Sequence, residues 1–197
     1  MKKVLIVFVS VFLLSFTFFN ENWVFKKEKE GIKVYTAKVE GYKYDKSIAL
    51  YTFNADINSF TNFIMDPLNF KKFSDRIEKI EVINKNETKA FYYMSIDMPW
   101  PISNRDGVYE ITLKSKTNSG AHIAIVARPN LLPIQKGYVR IEYANTDYII
   151  KKRGSELDLR YEKHTDPNGS IPAWLSNYYL SDAPIENIIV MKENIEK

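Results

Sequence analysis

The chain of 197 residues has no cysteine and only two histidines, His122 and His164. The lack of cysteine excludes disulfide bonds, thiolate-held iron–sulfur clusters and cysteine-based zinc sites. Neither histidine has metal-ligand spacing to a second histidine or an acidic cluster, so we expect no metal and no cofactor. The GxSxG, GxGxxG and GxxxxGKS/T motifs are also missing. The sequence therefore nominates no catalytic residue.

A concentration of charge of one sign is lacking too. The 28 Lys and Arg residues are interleaved with 24 Asp and Glu residues, and the net charge is only +4. A nucleic-acid-binding protein needs a basic stripe or patch, and none is visible, so we expect no nucleic-acid partner. The charge pattern indicates a mixed, solvated surface, and we expect a monomer.

Long apolar runs are confined to the N-terminus. Lys2 and Lys3 precede the uncharged run Val4–Phe19, which together resemble the basic and apolar regions of an export signal. The run falls short of the roughly 20 residues that a membrane-spanning helix needs, and a clear cleavage site is absent. We expect residues 1–22 to be a signal peptide or an uncleaved N-terminal membrane anchor, and the protein to be exported, periplasmic or envelope-associated.

Residues 23–197 are rich in aromatic side chains, with 13 Tyr, 12 Phe and 3 Trp in the whole chain. Apolar and polar residues alternate with the period of a β-strand through most of this region. We predict a short charged helix or turn at 23–30 and strands at 32–37, 42–55, 76–84, 88–98, 106–116, 121–128, 137–152 and 155–165. The turns between later strands are short, which predicts an antiparallel sheet.

Helical spacing appears in two places. Apolar residues recur every three or four positions after Asp56 and again from Asp66 to about Phe73, which predicts two short helices between the early strands. A second apolar stripe through 171–195 predicts a C-terminal helix that Pro184 kinks or divides. An apolar sheet face needs a cover, and this helix is the long element available. The fold class is therefore α+β: a curved antiparallel sheet wrapped around a long C-terminal helix, the helix-grip arrangement.

The stretch "MPWPISNRD" holds Trp100 between two prolines, which restrict the backbone around it. The Trp100–Pro101 peptide bond is trans by default, with cis as the alternative. Arg105 and Asp106 are neighbours on a predicted strand, so their side chains leave opposite faces and need separate partners. Either could be a polar anchor, by contacting a ligand head group or by fixing the start of the strand with hydrogen bonds.

Four segments together resemble the START family, the steroidogenic acute regulatory protein-related lipid-transfer domains. They are "EGIKVYTAKVEG" at 30–41, "PWPISNRD" at 99–106, "KGYVRIEY" at 136–143 and "GSIPAWLSNYYLSDAPIENI" at 169–188. The resemblance covers about 23–197, and with the export signal the chain looks like a bacterial exported member. It implies a helix-grip fold and an internal tunnel between sheet and last helix that holds a lipid or other hydrophobic small molecule. The implied role is non-enzymatic lipid transfer or sensing outside the cytoplasm.

Strand alternation and the family alignment nominate the side chains that line such a tunnel. The alignment places Tyr92 and Ile111 in the tunnel, where sterol-binding members carry a charged pair, and this difference argues against a cholesterol-type ligand. The predicted ligand-binding residues are Tyr92, Met94, Ile96, Trp100, Tyr109, Ile111, Tyr143, Tyr148, Trp174 and Tyr178.

Alternatives stay open at this level. Trp100 could gate the tunnel or make transient membrane contact together with Leu131 and Leu132, or it could plug the sheet edge. A helix-grip enzyme of the cyclase or hydrolase type would use the same cavity. It would need His122, Asp97 or one of the anchors Arg105 and Asp106 to point inward. A domain with a filled core would instead serve protein interaction.

Overall fold

The computed structural model describes residues 22–196. The predicted export segment, residues 1–22, lies outside the described residues except for Asn22, and its role stays a prediction. The strands are β1 (Val24–Lys29), β2 (Ile32–Ala37), β3 (Lys46–Phe53), β4 (Ile77–Lys85), β5 (Lys89–Ile96), β6 (Asn104–Thr117), β7 (Gly120–Ala127), β8 (Tyr138–Arg140), β9 (Tyr143–Arg153) and β10 (Glu156–Asp166). The helical elements are α1 (Ile57–Met65), a 3-10 helix (Pro67–Phe73), α2 (Ala173–Asn177), a π-helical turn (Tyr178–Asp182) and α3 (Ala183–Ile195).

All ten strands belong to one sheet in the order β1-β2-β3-β10-β9-β7-β6-β5-β4, with β8 paired to β6. Every pairing is antiparallel except that of β8 with β6, which is parallel. Helices α1 and α3 pack on the same face of this sheet. The predicted α+β class and helix-grip architecture are confirmed.

Two local predictions were wrong. Residues 24–29 form a strand, not a helix or turn, because Glu30 and Gly31 both have positive φ (52° and 77°) and close a hairpin onto β2. Two consecutive left-handed residues match the twist of a hairpin, but glutamate rarely adopts this conformation, so the turn was not recognisable. The predicted strand at 137–152 is two strands, since the N–H of Ile141 donates to the carbonyl of Asp106 at 2.8 Å and holds this part of the chain against β6.

The two early helices begin where the sequence indicates. The carboxylate of Asp56 accepts a hydrogen bond from the N–H of Ser59 at 2.9 Å and caps α1. Asp66 accepts from the N–H of Leu68 at 3.3 Å and caps the 3-10 helix, whose first residue is Pro67. These caps end the strand pattern and turn the chain across the sheet, so that the apolar side of α1 covers the core.

The C-terminal helical segment divides as Pro184 predicts. Helices α2 and α3 are joined by the π-helical turn, in which the N–H of Ala183 donates to the carbonyl of Tyr178, five residues earlier. Pro184 then lies in the first turn of α3, where its missing N–H is not needed. In α3, Ile188 and Met191 are completely buried in the core. Within residues 22–196 no helix combines the length and apolar character needed to cross a membrane.

A buried ion pair joins β6 to β8. The guanidinium of Arg140 donates to both carboxylate oxygens of Asp106 at 2.8 Å, and both side chains are almost fully buried. Arg140 also donates to the carbonyls of Pro129, Leu132 and Pro133 at 2.6 to 3.0 Å. The pair thus satisfies the buried carboxylate and fastens the 128–137 loop to the sheet.

Replacing Arg140 should therefore be costly. Arg140→Met leaves Asp106 buried without a counter-charge and removes the donors to three loop carbonyls. We expect the free energy of unfolding to fall by about 3–5 kcal/mol, measured by urea denaturation. Lys79→Met is the control, because the Lys79–Glu81 pair is exposed, and it should cost less than about 1 kcal/mol. Equal effects of the two substitutions would contradict a structural role for the buried pair.

Candidate functional site

A cavity of about 220 Å³ lies between the sheet and the C-terminal helical segment. Strands β3, β5, β6, β9 and β10 contribute side chains to one side of its wall. The 3-10 helix and the segment from α2 through the π-helical turn to α3 form the other side. Most of the wall is apolar or tyrosine, and among residues 22–196 there is no cluster of three or more acidic or histidine side chains that could hold a metal ion.

Two stacked tyrosine pairs line the cavity, and strand register brings each pair together. Tyr148 of β9 lies opposite Tyr161 of β10, with ring centroids 4.7 Å apart and planes only 7° from parallel. Tyr92 of β5 lies opposite Tyr109 of β6, with centroids 5.2 Å apart. Directly opposed residues on neighbouring strands are close enough to pack against each other, so the register alone positions this part of the wall.

Three of these tyrosines are held in the neutral form by burial. Burial raises the pKa of Tyr92, Tyr109 and Tyr148 above the ordinary value of 10, because a phenolate would lose its hydration. The hydroxyl of Tyr161 accepts a hydrogen bond from the side-chain amide of Asn187 at 3.2 Å. The tyrosine pairs therefore offer an apolar surface with a few hydroxyl groups, which suits a hydrophobic guest with sparse polar atoms.

The π-helical turn supplies the opposite wall. Tyr178, Tyr179 and Leu180 face the cavity, although no residue of this turn is fully buried. The Tyr178 hydroxyl donates to Glu186 in α3, and the Tyr179 hydroxyl lies 3.6 Å from the sulfur of Met98. Single π-helical turns occur often at functional sites, where the extra residue changes which side chains face inward.

The mouth of the cavity lies at Arg105 and Ile171, since these residues line both the cavity and a second depression of about 410 Å³ on the surface. The Arg105 guanidinium donates to the carbonyls of Ser103, Pro167 and Asn168. Burial lowers the pKa of Arg105, whose side chain is only 3% exposed. A permanently charged group thus stands where the cavity opens.

Several predicted site residues meet in the wall. Six of the ten ligand-binding predictions line the cavity: Tyr92, Met94, Ile96, Tyr109, Tyr148 and Tyr178. Of the two polar anchors, Arg105 lines it, whereas Asp106 points away and is paired with Arg140. Because neighbouring residues on a strand point to opposite faces of the sheet, as predicted, Arg105 can line the cavity while Asp106 pairs with Arg140. Direct contact of any of these residues with a ligand stays a prediction.

Four predicted residues lie outside the wall. Trp100 is 93% exposed and Trp174 is 60% exposed, so neither plugs nor lines the cavity. The Trp100–Pro101 peptide bond is cis. Ile111 is fully buried in the core beyond the end of the cavity. Tyr143 packs against the rings of Tyr42 and His164.

The Tyr143 error has a simple cause. Tyr143 and Tyr148 are five residues apart on one strand, and an odd separation places two side chains on opposite faces of a sheet. Only Tyr148 can then face the cavity, together with Thr146 and Ala144. The same alternation on β10 would have identified Tyr161, Lys163 and Thr165, which share the inward face and were missed.

Comparison with known proteins agrees with this architecture. A model of the START domain matches residues 9–186. An uncharacterised protein of Pseudomonas aeruginosa is 30% identical over 179 residues, covering 90% of this chain and 88% of that protein. The phosphatidylcholine transfer protein of Rattus norvegicus is 26% identical over 171 residues, covering 80% of this chain and 76% of that protein.

A solved structure shows the same likeness in three dimensions. The STAR-related lipid transfer protein from Xanthomonas axonopodis superimposes with a TM-score of 0.79 at 29% identity, covering 88% of this chain and 98% of that one. The family match extends over most of the sequence and agrees with the sheet order and the helix that closes the cavity. The chain belongs to the START domain family.

Proposed function

We propose that this protein binds a lipid or other hydrophobic small molecule in the cavity between the sheet and the C-terminal helix. It acts as a monomeric carrier or sensor of that ligand outside the cytoplasm and is not an enzyme. The observation that carries the proposal is the cavity of about 220 Å³, lined by tyrosine and apolar side chains inside a START fold. The names of the rat and Xanthomonas relatives, both lipid transfer proteins, support it.

The size of the cavity limits how the ligand enters. Small-molecule sites commonly measure about 300–1,000 Å³, so 220 Å³ suits one acyl chain better than a two-chain lipid. A larger lipid requires the π-helical turn and α2 to move away from the sheet. These are the parts of the C-terminal segment with the least burial, since Leu175 is the single buried residue in α2 and the turn has none. Each methylene removed from water contributes about 0.8 kcal/mol to binding.

The arrangement of titratable groups supports a ligand carrier over an enzyme. His122 is paired with Asp147 at 2.6 Å, and His164 bonds the carbonyl of Tyr44 at 3.0 Å. In the part of the chain that the structure describes, no histidine lies in the cavity wall, and Asp45 is the one carboxylate there. The alternative, a cyclase or hydrolase, would need an acid and a base facing each other across the cavity. Of the four groups predicted for that role, only Arg105 lines the cavity, and a guanidinium stays protonated and cannot exchange a proton.

Filling the cavity tests the proposal. Ala144 lies in the wall on β9, and Ala144→Phe places a ring in space that the ligand would occupy. We expect this variant to lose at least about tenfold in lipid affinity, measured by native mass spectrometry after incubation with extracted lipids. Ala173→Phe, at an exposed position of α2, is the control and should bind as the unmodified protein does. Circular dichroism checks that both variants fold.

Two outcomes would count against the proposal. The first is that neither co-purified nor added lipid binds the unmodified protein. The second is that Ala144→Phe and Ala173→Phe bind lipid equally well, which would place the ligand elsewhere.

We also propose that the protein touches a membrane transiently while it exchanges its ligand. Trp100 (93% exposed), Ile134 (63%) and Leu131 (48%) are exposed apolar side chains on two loops. The loops lead into β6 and β8, whose parallel pairing of Asn104 with Tyr138 brings them to the same end of the sheet. Exposed apolar groups gathered near a cavity mouth favour contact with lipid, and tryptophan suits the membrane interface.

Trp100→Ala tests this contact. Since Trp100 lies outside the wall, we expect ligand affinity to stay within about twofold of the unmodified protein. The rate of fluorescent-lipid transfer between vesicles should fall several-fold. Leu68→Ala, which removes another exposed apolar side chain on the 3-10 helix, should leave the rate unchanged. An unchanged transfer rate for Trp100→Ala would contradict the proposed membrane contact.

Export by residues 1–22 is the last part of the proposal. Cell fractionation of the full chain with a C-terminal tag should place it in the periplasm or at the envelope. Leu13→Arg interrupts the apolar run and should retain the protein in the cytoplasm, whereas Leu13→Ile keeps the run and should not. Cytoplasmic recovery of the unmodified chain would contradict export without affecting the proposed ligand.

A further inference from the structure

The cavity wall is cationic. Arg76, Arg105 and Lys163 line it, and Asp45 is the one carboxylate among the described wall residues. Within residues 22–196 no ion pair joins any of these three cations to a carboxylate. Three other cations with little exposure are neutralised: Arg140 by Asp106, and Lys46 and Arg160 by Glu162. Arg105 is buried, Lys163 is half-buried and Arg76 is exposed, so the cost of an unpaired charge falls mainly on Arg105.

Arg105 has donors available at the mouth. Its guanidinium makes three hydrogen bonds, to the carbonyls of Ser103, Pro167 and Asn168, and all three acceptors are neutral. A guanidinium carries five N–H groups, so donors remain for a further acceptor. The side chain is 3% exposed yet lies in the walls of both the cavity and the surface depression. Its hydrogen bonds hold it where the cavity meets the surface depression.

The inward face of β10 changes from aromatic to polar as it approaches this mouth. Tyr161, Lys163 and Thr165 follow one another along that face, and Pro167, which binds Arg105, comes next. Lys163 lies opposite Thr146 of β9 and Ser47 of β3, so hydroxyl groups flank it on both neighbouring strands. A guest with its apolar part against the tyrosines would place its other end at Lys163 and Thr165.

One buried polar atom in this region has no partner. Within the described part of the chain, the Thr165 hydroxyl oxygen is buried from solvent without a hydrogen bond, and it is the single buried side-chain polar atom in that position. Thr165 also lines the cavity. Buried hydroxyl groups are nearly always hydrogen-bonded in folded proteins, so this hydroxyl can pair with a polar atom that enters the cavity.

The three cations Arg76, Arg105 and Lys163 all lie near Tyr179, and so near one another. The ammonium group of Lys163 is 5.9 Å from the centre of the Tyr179 ring. The positive charges of Arg76 and Arg105 both act on the Tyr179 phenol and counteract the rise in its pKa that burial causes. Three cations from β10, β6 and the segment before β4 thus surround one side chain of the π-helical turn.

We propose that the mouth of the cavity binds the anionic head group of the ligand, a phosphate or a carboxylate. Arg105 and Lys163 supply the charge and Thr165 donates a hydrogen bond from its hydroxyl. This inference rests on the proposed function and names the chemical class of the lipid. A choline head group would bring its own cation against the same positive charges, so the preferred ligand differs from that named for the rat relative.

Affinity measurements with chain-matched lipids test the inference. The probes are dioleoyl phosphatidic acid, phosphatidylglycerol, phosphatidylcholine and diacylglycerol, with oleic acid and oleyl alcohol as single-chain counterparts. We expect each anionic lipid to bind at least about tenfold more tightly than the neutral or zwitterionic lipid with the same chains. Raising the salt concentration should narrow that difference.

Substitution at Lys163 locates the effect. Lys163→Gln should weaken binding of anionic lipids about tenfold and change binding of neutral lipids less than about twofold. Lys163→Arg keeps the charge and should restore the preference. Lys152→Gln, an exposed lysine of β9 outside the wall, is the matched control and should behave as the unmodified protein. Thr165→Val should weaken the binding of anionic lipids more than the binding of neutral lipids.

Binding measurements with soluble anions distinguish two possible ligands, an anionic lipid head group and a free anion. Inorganic phosphate and acetate carry the same charged oxygens without a chain, and we expect them to bind at least about a hundredfold more weakly than the matching lipids. Tight, Lys163-dependent binding of inorganic phosphate would show that the site recognises a free anion, and would overturn a lipid head group as the ligand. Equal binding of anionic and neutral lipids, or no effect of Lys163→Gln, would overturn the inference and leave lipid binding intact. Failure of every lipid to bind would overturn the proposed function as well.

Discussion

The cavity exists because the C-terminal helical segment packs tightly against the sheet only in α3, whereas α2 buries Leu175 alone and the π-helical turn buries no residue. In α3, Ile188 and Met191 are completely buried among the core side chains, so this end is held by apolar contact. In the π-helical turn no residue is fully buried, and Tyr178 and Leu180 face open space. A helix packed along its whole length would leave no volume for a guest. The enclosed space follows from this uneven burial.

Charge is distributed around the cavity by strand alternation. Arg105 and Asp106 are consecutive on β6, and their side chains leave opposite faces. Asp106 meets Arg140 in a buried pair that holds the 128–137 loop, while Arg105 meets backbone carbonyls and keeps its charge uncompensated at the mouth. One dipeptide therefore stabilises the scaffold on one side of the sheet and contributes to the cavity wall on the other. The two loops that carry Trp100 and Leu131 lead into β6 and β8, so the pairing of these strands positions both loops.

The wall could be predicted where strand periodicity is regular. On β5, Tyr92, Met94 and Ile96 alternate as expected and all line the cavity. Prediction failed where the period or the extent of the cavity was not visible: Tyr143 lies on the opposite face from Tyr148, and Ile111 lies beyond the cavity's end. A buried carboxylate such as Asp106 requires a cation. Arg140 was missed because the sequence does not show which of the 28 basic residues meets that carboxylate.

The sequence by itself determined the elements and their kind. Periodicity, caps and turn residues specified the two early helices, most strands and the division of the last helix at Pro184, because these depend on contacts between residues close in the chain. Tertiary structure alone decided which charges were neutralised, which tyrosines paired and how much space remained. Those outcomes depend on strand register and on partners more than 30 residues apart, such as Asp106 with Arg140, and no local pattern records them.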